Sequence, residues 1–505
     1  MAELVARVGE WRTVSAMNDI TDDPNGRSFI PEEPDYLDQG ETFEVDFDLL
    51  GEVILIDEQP AKSAATVSLF GTAHADAELF ARQMNDRVLW NSSRGVWMEY
   101  DGKRWATSSH RSVVAVHVAR FVNDLYAQAD EKVRRAVVAL PRLRQVAEAA
   151  SGMPAMQASE ADFDVDPYML NLQNGVLDLR TGDLMQHDPK LRMTSLSPVA
   201  WDPTAECPTW WNFIHQTFQN DMELEAYVQR ALGYSITAAT TEAALMLCVG
   251  TGQNGKSLMF NVLRAVLGTD MSMQAETTLF TSQRSSQDQY SLADLRSKRF
   301  IVATELEDGA RLSEALVKQL TGNDTIRARR IYEQPTEFSP TSKIWLTANV
   351  APTVSGTDRG IWRRIRYIPF LNVVTNPDAD LLSKLQLELP GILRWLVDGA
   401  MAWRSAGIGS CDAVSRATEQ YRQSQDVVGQ FLDEMCTVAT DEKVQASELW
   451  QSFSKWVQDT HGLNHFTGRK MASALSSKGF ESRKHGKAQN RYYFGLRLNE
   501  PHSYF

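Results

Sequence analysis

The sequence predicts a multidomain α/β protein with a mostly parallel sheet at its centre, and three observations carry that prediction. Apolar runs recur between residues 244 and 349: ALMLCVG (244–250), RFIVATE (299–305) and KIWLTAN (343–349). Helix-forming stretches separate them, SLMFNVLRAVLG at 257–268 and a second at 312–320, and strands alternating with helices imply a sheet covered on its faces. The chain, at 505 residues, is too long for one compact core, so two to four domains are expected.

Composition excludes several classes. Hydrophobic residues make up 43 % of the chain, and no apolar run approaches the roughly 18–20 residues that span a bilayer. The first residues, MAELVARVGEWRTVS, lack an apolar signal core. Cys207, Cys248, Cys411 and Cys436 are far apart and form no CxxC or Cys/His cluster, which argues for reduced thiols in a cytoplasm and against a structural zinc. The net charge of −14 is concentrated: residues 19–58 hold fourteen acids against Arg27 alone, a local net of −13. Such a Pro-interrupted acidic segment is expected to be a disordered, solvated tail.

Along the chain, RVLWNSSRGVWMEYDGKRWA (87–106) alternates apolar and polar residues around Asp101-Gly102 and predicts a small β-meander. Residues 111–150 carry helical spacing, closed by Gly152-Met-Pro154. NLQNGVLDLRTGDLMQHDP (171–189) predicts two strands about a Thr181-Gly182-Asp183 turn, and 208–236 is helical. A hairpin is expected at 325–338, helices over 379–404, a connector around 405–425, and a compact three-helix unit ending in strands over 428–500. The expected division is therefore an acidic tail (1–60), a small α+β N-terminal region (61–150), a preceding domain (151–236), an α/β core domain (237–405), a connector (406–427) and a C-terminal unit (428–505).

Residues 250–257 read GTGQNGKS, which fills the GxxxxGK[ST] pattern between a buried strand and a helix. Gly250 and Gly255 let the loop (with Thr251, Gly252, Gln253 and Asn254) curl so that backbone N–H groups point at phosphate oxygens. Lys256 can reach the β/γ-phosphates, and Ser257 can hold Mg²⁺ at the helix N-terminus. A nucleotide-hydrolysing site also needs a carboxylate ending a neighbouring strand. Glu305 ends RFIVATE, with Glu307 two residues on. A polar residue at the tip of the next strand should sense the γ-phosphate, and Asn349 closes IWLTAN there.

Three such motifs within about 100 residues resemble superfamily 3 helicases, AAA+-like P-loop NTPases. More narrowly, the stretch LVKQLTGNDTIRARRIYEQPTEFSPTSKIWLTANVAPTVSGTDRGIWRRIRYIPF (316–370) is similar to the phage/plasmid primase-helicase family, which includes poxvirus-type NTPase-primases. NGVLDLRTGDLMQHDP resembles the domain preceding the motor in that family, and LPGILRWLVDGAMAW (389–403) its region after the motor. The resemblance implies ATP and Mg²⁺ at Gly250–Ser257, Glu305 as catalytic acid and metal neighbour, and Asn349 as sensor. It also implies a homo-hexamer in which Arg363 or Arg364 serves the neighbouring subunit's nucleotide. Its expected setting is a phage, prophage or plasmid protein in a bacterial cytoplasm.

Two regions are expected to meet DNA. TIRARRIYEQPTEF (325–338) places Arg327, Arg329, Arg330 and Tyr332 near a turn, the composition of a single-strand tracking element, at the position of the hairpin lining superfamily 3 rings. Between Phe466 and Leu498 lie eight Lys/Arg against one acid, Glu481. Two helices (446–459, 467–478) followed by RKHGKAQNRYYFGLRL resemble a winged helix-turn-helix, with Arg483, Lys484, Lys487 and Arg491 on a wing against duplex phosphates. Asp46 and Asp48 mimic a primase metal pair, but only about 45 residues precede them, so no priming site of its own is expected, and a separate primase or replication factor would be a partner. The competing reading is a nucleotide-switched DNA-binding regulator, and an RNA helicase is a third.

Overall fold

In the computed structural model the described residues are 71–499, apart from 108–111, 283–291, 323, 329–335, 355–358, 463–465 and 487–488. The acidic tail and the Asp46/Asp48 pair lie outside them, as do Arg329, Arg330, Tyr332 and Lys487.

The N-terminal region runs α1 (Ala73–Met84), β1 (Val88–Asn91), β2 (Val96–Tyr100), β3 (Trp105–Thr107), α2 (Ser112–Leu125), α3 (Glu131–Val137), α4 (Leu140–Ser151) and β4 (Gln157–Ala158). The meander is antiparallel, and β4 adds to β1 in parallel, giving the order β3-β2-β1-β4. Thr72 caps α1 and Asp130 caps α3 through their side chains, satisfying first-turn N–H groups. Next come β5 (Met169–Leu172), β6 (Gly175–Asp178) and β7 (Leu184–Met185). Here the structure corrects the two-strand expectation: a further hairpin turns at Gln173-Asn174, with β5 pairing β6 and β6 pairing β7. The Thr181-Gly182 turn joins only the second pair. Asn174-Gly175 is itself a hairpin signal, and it falls where β5 turns into β6.

Helices α5 (Pro208–Thr217) and α6 (Met222–Ile236) lead into the central sheet, built from β8 (Leu245–Val249), β9 (Ser272–Gln274), β10 (Phe300–Leu306), β13 (Lys343–Ala348) and β14 (Ile365–Pro369). Between them lie α7 (Lys256–Met271), α8 (Glu314–Leu320), the short pair β11 (Ile326–Ala328) and β12 (Thr336–Phe338), and α9 (Arg359–Trp362). The sheet is parallel throughout, in the order β14-β8-β13-β10-β9. Its two faces follow the strand period of two. Met246, Cys248, Phe300, Val302, Trp345 and Ile368 face a core shared with α5, α6, α7 and α11 (Leu389–Ala406), which follows α10 (Leu381–Leu387). Leu245, Leu247, Val249, Ile301 and Leu346 face a second core with α8. The first core also takes in Leu170, Leu177 and Val199, so packing runs without a break across position 236.

Two buried cations seal that junction. The Arg299 guanidinium donates to the carbonyls of Ile236 (2.8 Å) and Met169 (2.6 Å). Lys343 Nζ donates to the carbonyls of Thr237, Ala239 (3.1 Å) and Thr341 (3.1 Å). The carbonyls of Ile236, Thr237 and Ala239 lie at or just beyond the C-terminus of α6, where a positive charge is favoured.

The expected connector is corrected most clearly. Residues 412–425 form a helix, α12 (Asp412–Gln425), docked on β14. Tyr421 is buried, its hydroxyl donates to the Pro352 carbonyl, and its ring packs against Trp362 and Tyr367. Thr418 Oγ1 accepts from the Tyr367 backbone N–H (3.0 Å). Only Val414 and Tyr421 of this helix are buried, so its otherwise polar sequence reads as linker.

The C-terminal unit runs α13 (Val427–Met435), β15 (Cys436–Gln445), α14 (Ala446–His461), α15 (Gly468–Ser477), β16 (Ser482–His485) and β17 (Asn490–Leu498), with the antiparallel order β15-β17-β16. Phe431, Leu449, Phe453, Leu475 and Leu496 form its own core. All four cysteines are free and buried. No helix among the described residues is long and apolar enough to cross a membrane.

Candidate functional site

The site forms at the carboxyl ends of three adjacent strands, where ligands of open α/β sheets sit. β8 ends at Val249, and the chain turns through Gly250–Gly255 into α7. The turn is tight because two glycines have no room for a side chain. A Cβ on Gly250 would lie 2.2 Å from the Phe370 carbonyl, and one on Gly255 (φ +83°) would lie 2.9 Å from the Phe213 ring. The N-cap of α7 is Gly255, which has no side chain to accept from the first-turn N–H groups.

Lys256 opens that helix and is only 7 % exposed. Its Nζ folds back to donate to the Gly250 carbonyl at 2.6 Å. Burial pushes its ammonium below the ordinary lysine value, opposed by the Cys248 side chain beneath it. A buried ammonium has three donors, and a phosphate chain laid in the loop would supply the acceptors that fit them. Ser257, next along, is exposed, as are Thr251 and Gln253. Asn254 is buried, and its Nδ2 donates to the Phe370 carbonyl (3.4 Å).

Glu305 lies two strands away on β10, exposed at the same edge. Its position is set by a β-bulge: Ala303 pairs with Leu346 and Leu306 with Ala348, leaving Thr304 and Glu305 opposite Thr347. Glu305 has φ +66°, a left-handed conformation that a non-glycine residue adopts only when its surroundings hold it there. Its N–H donates to Thr347 Oγ1 (3.2 Å). Glu307 is also exposed. On the intervening strand Asn349 follows Ala348 and is exposed at that edge. The topology therefore brings Lys256, beyond the end of β8, Asn349, beyond the end of β13, and Glu305, on β10, to one edge in that spatial order.

It does not bring Arg363 and Arg364 there. They precede β14, whose Ile365 pairs with Leu245, the first residue of β8. They stand at the opposite edge, about 15 Å along the strands from the phosphate-type loop. Arg364 is half-buried and donates to Thr321 Oγ1 (3.0 Å) and the Gly360 carbonyl (2.6 Å). Arg363 is exposed.

Arg327 is exposed on β11, whose pairing with β12 forms the expected hairpin stems. In the C-terminal unit Arg483, Lys484 and Arg491 are exposed on the β16–β17 hairpin, with Lys484 directly opposite Arg491. Like charges placed opposite each other are unfavourable without an anion between them.

Sequence reasoning missed Thr347, which holds Glu305, and the segment after β14. There Phe370 receives Asn254, and the Val374 N–H donates to the Gln253 carbonyl (2.8 Å). These partners lie over forty residues away in the chain, and no spacing rule reaches them.

Two family models match the chain: "D5 N terminal like" over residues 77–219 and "Family of unknown function (DUF5906)" over residues 248–364. A protein of Acanthamoeba polyphaga mimivirus named "Putative helicase L207/L206" is 27 % identical over 326 residues, 59 % of this chain and 34 % of that protein. "Putative primase C962R" of African swine fever virus (isolate Tick/Malawi/Lil 20-1/1983) is 20 % identical over 347 residues, 63 % of this chain and 36 % of that protein. The chain thus spans about a third of the length of these curated relatives. Among solved structures, the apo C-terminal region of NrS-1 aligns with TM-score 0.48 at 12 % identity, covering 84 % of this chain and 99 % of that one.

Proposed function

The chain belongs to the phage and viral primase-helicase family, and from that premise we propose that it is an ATP-hydrolysing DNA helicase motor of superfamily 3 type, working in replication as a ring of identical subunits. The observation that carries the proposal is the shared edge of β8, β13 and β10, with buried Lys256, Asn349 and the bulged Glu305 in a row.

On this reading the loop N–H groups and Lys256 bind the β- and γ-phosphates of ATP, favoured by the N-terminus of α7. Glu305 orients and deprotonates the attacking water, and Asn349 meets the γ-phosphate between them. Ser257 and Glu305 are the protein oxygens that would hold Mg²⁺, an ion that usually takes one or two protein ligands beside substrate phosphates and neutralises their charge. Arg363 of one subunit would reach the next subunit's γ-phosphate, where an arginine finger contributes on the order of 10³–10⁵ in rate.

DNA is the proposed polymer partner. Arg327 begins the hairpin that would track a single strand. The α13-β15-α14-α15-β16-β17 order supports a winged-helix reading of the C-terminal unit, with α15 entering a groove and Arg483, Lys484 and Arg491 on phosphates.

The test is ATP hydrolysis with and without single-stranded DNA, run beside strand displacement on tailed duplexes. Stimulation by the single strand together with displacement is expected. Hydrolysis indifferent to DNA, with no displacement, would favour a nucleotide-switched regulator instead.

A further inference from the structure

A triphosphate lying on the 250–255 loop has a direction, and the strand order fixes it. Glu305 and Asn349 stand on β10 and β13, both on one side of β8. The γ-phosphate must end among them, so the nucleoside end must point to the other side of β8, over the end of β14. Two segments of the chain meet the loop there.

The first is a strap, residues 370–374, leaving β14. It is tied to the loop at both ends: Asn254 Nδ2 donates to the Phe370 carbonyl (3.4 Å), and the Val374 N–H donates to the Gln253 carbonyl (2.8 Å). Between those ties, Leu371 is 69 % exposed and Val373 51 % exposed. Single exposed apolar residues are ordinary. Here two stand within three residues on a segment hydrogen-bonded to the candidate phosphate loop.

The second segment is the turn from α5 to α6. Phe213 and Thr217 close on Gly255, where a Cβ would come within 2.9 Å and 3.0 Å of them. The Phe218 ring lies 5.1 Å from that of Phe370, joining turn and strap. Gln219 (φ +56°) and Asn220 (φ +60°) follow, both exposed in the left-handed conformation. Strained turn residues of this kind cluster at ligand sites.

We propose that the strap and the α5–α6 turn form the seat of the nucleobase, with the base lying against Leu371 and Val373. Nucleobase faces are apolar enough to be covered this way whatever their edge chemistry. The assignment rests on the proposed nucleotide site and adds the element that distinguishes a nucleotide from a bare polyphosphate.

The experiment uses the full chain, titrated calorimetrically with ATP and with inorganic tripolyphosphate in the presence of Mg²⁺. The variant is Leu371→Ser/Val373→Ser, whose two side chains contribute little to any core; Leu371→Ile/Val373→Ile is the conservative control. The serine variant should bind ATP at least tenfold more weakly and tripolyphosphate as the wild type does, and the conservative control should restore ATP affinity. Unchanged ATP affinity in the serine variant overturns the seat. So does an equal loss for both ligands, because the strap would then act through the loop and not on the base. Lys256→Ala separates the two levels. It should weaken both ligands, and if it weakens neither, the phosphate-loop reading fails and takes the seat with it.

Discussion

Replacing Glu305 tests backbone and chemistry together. At an ordinary strand position glycine is less stable than alanine by roughly 0.5–1 kcal/mol. At φ +66° in a bulge the order should invert, since an L-residue in the left-handed region costs about 1–2 kcal/mol that glycine avoids. Subtracting the glycine penalty, Glu305→Gly should be more stable than Glu305→Ala by roughly 0–1.5 kcal/mol, up to about 6 °C in melting temperature for a domain of 150–250 residues. Glu305→Gln keeps the strain and the shape, so it should melt with the wild type. On the proposed chemistry all three variants bind nucleotide and fail to hydrolyse it. Differential scanning calorimetry and a phosphate-release assay measure the two halves. A glycine variant clearly less stable than the alanine variant would refute the strain argument. Wild-type turnover in any of the three would remove Glu305 from catalysis.

Lys256→Ala should abolish ATP hydrolysis while the fold persists, which phosphate release and circular dichroism together check. Lys343→Met leaves the carbonyls of Thr237, Ala239 and Thr341 without their buried donor, so urea unfolding should show a loss on the order of 3 kcal/mol. A chain ended after Asp426 should keep its ATPase and lose duplex affinity. One ended after residue 410 should lose soluble motor altogether, because Tyr421 leaves the core beside Trp362, a contrast that gel filtration and fluorescence anisotropy resolve. Arg363→Ala should retain nucleotide binding and lose turnover, and mixing it with Lys256→Ala subunits should recover part of the activity. No recovery at any ratio, with co-assembly verified, would confine the arginine to its own subunit.

What could be read in the sequence was what is local or periodic. Three of the central strands and their order along the chain follow from apolar runs bounded by Gly250, Glu305 and Asn349, and all three runs form parallel strands. The meander at 88–107 and the final hairpin follow from alternation. What could not be read depends on distant partners. Helix α12 buries two residues, Val414 and Tyr421, and is held by Pro352 and Tyr367, which a polar fourteen-residue stretch cannot announce. The bulge that turns Glu305 to the sheet edge depends on Thr347, and the strap at 370–374 acquires meaning only once β14 is known to lie beside β8. Sequence order placed β14 last; the fold places it next to the first strand.

That placement has a consequence for how the proposed site is completed. Because β14 runs parallel to β8, its two ends fall on opposite edges of the sheet. The carboxyl end delivers the strap to the loop of the same chain, and the amino end carries Arg363 away from it. No rotamer of an arginine side chain spans the length of a five-residue strand, about 15 Å, so Arg363 cannot serve the loop that its own strand adjoins. If Arg363 has a catalytic role at all, it is toward another copy of the chain, and hydrolysis becomes a property of the assembled edge between subunits. Arg364, already committed to Thr321 and Gly360, would then fix the turn that presents Arg363. Replacing Arg364 should disturb stability and turnover together, whereas replacing Arg363 should disturb turnover alone.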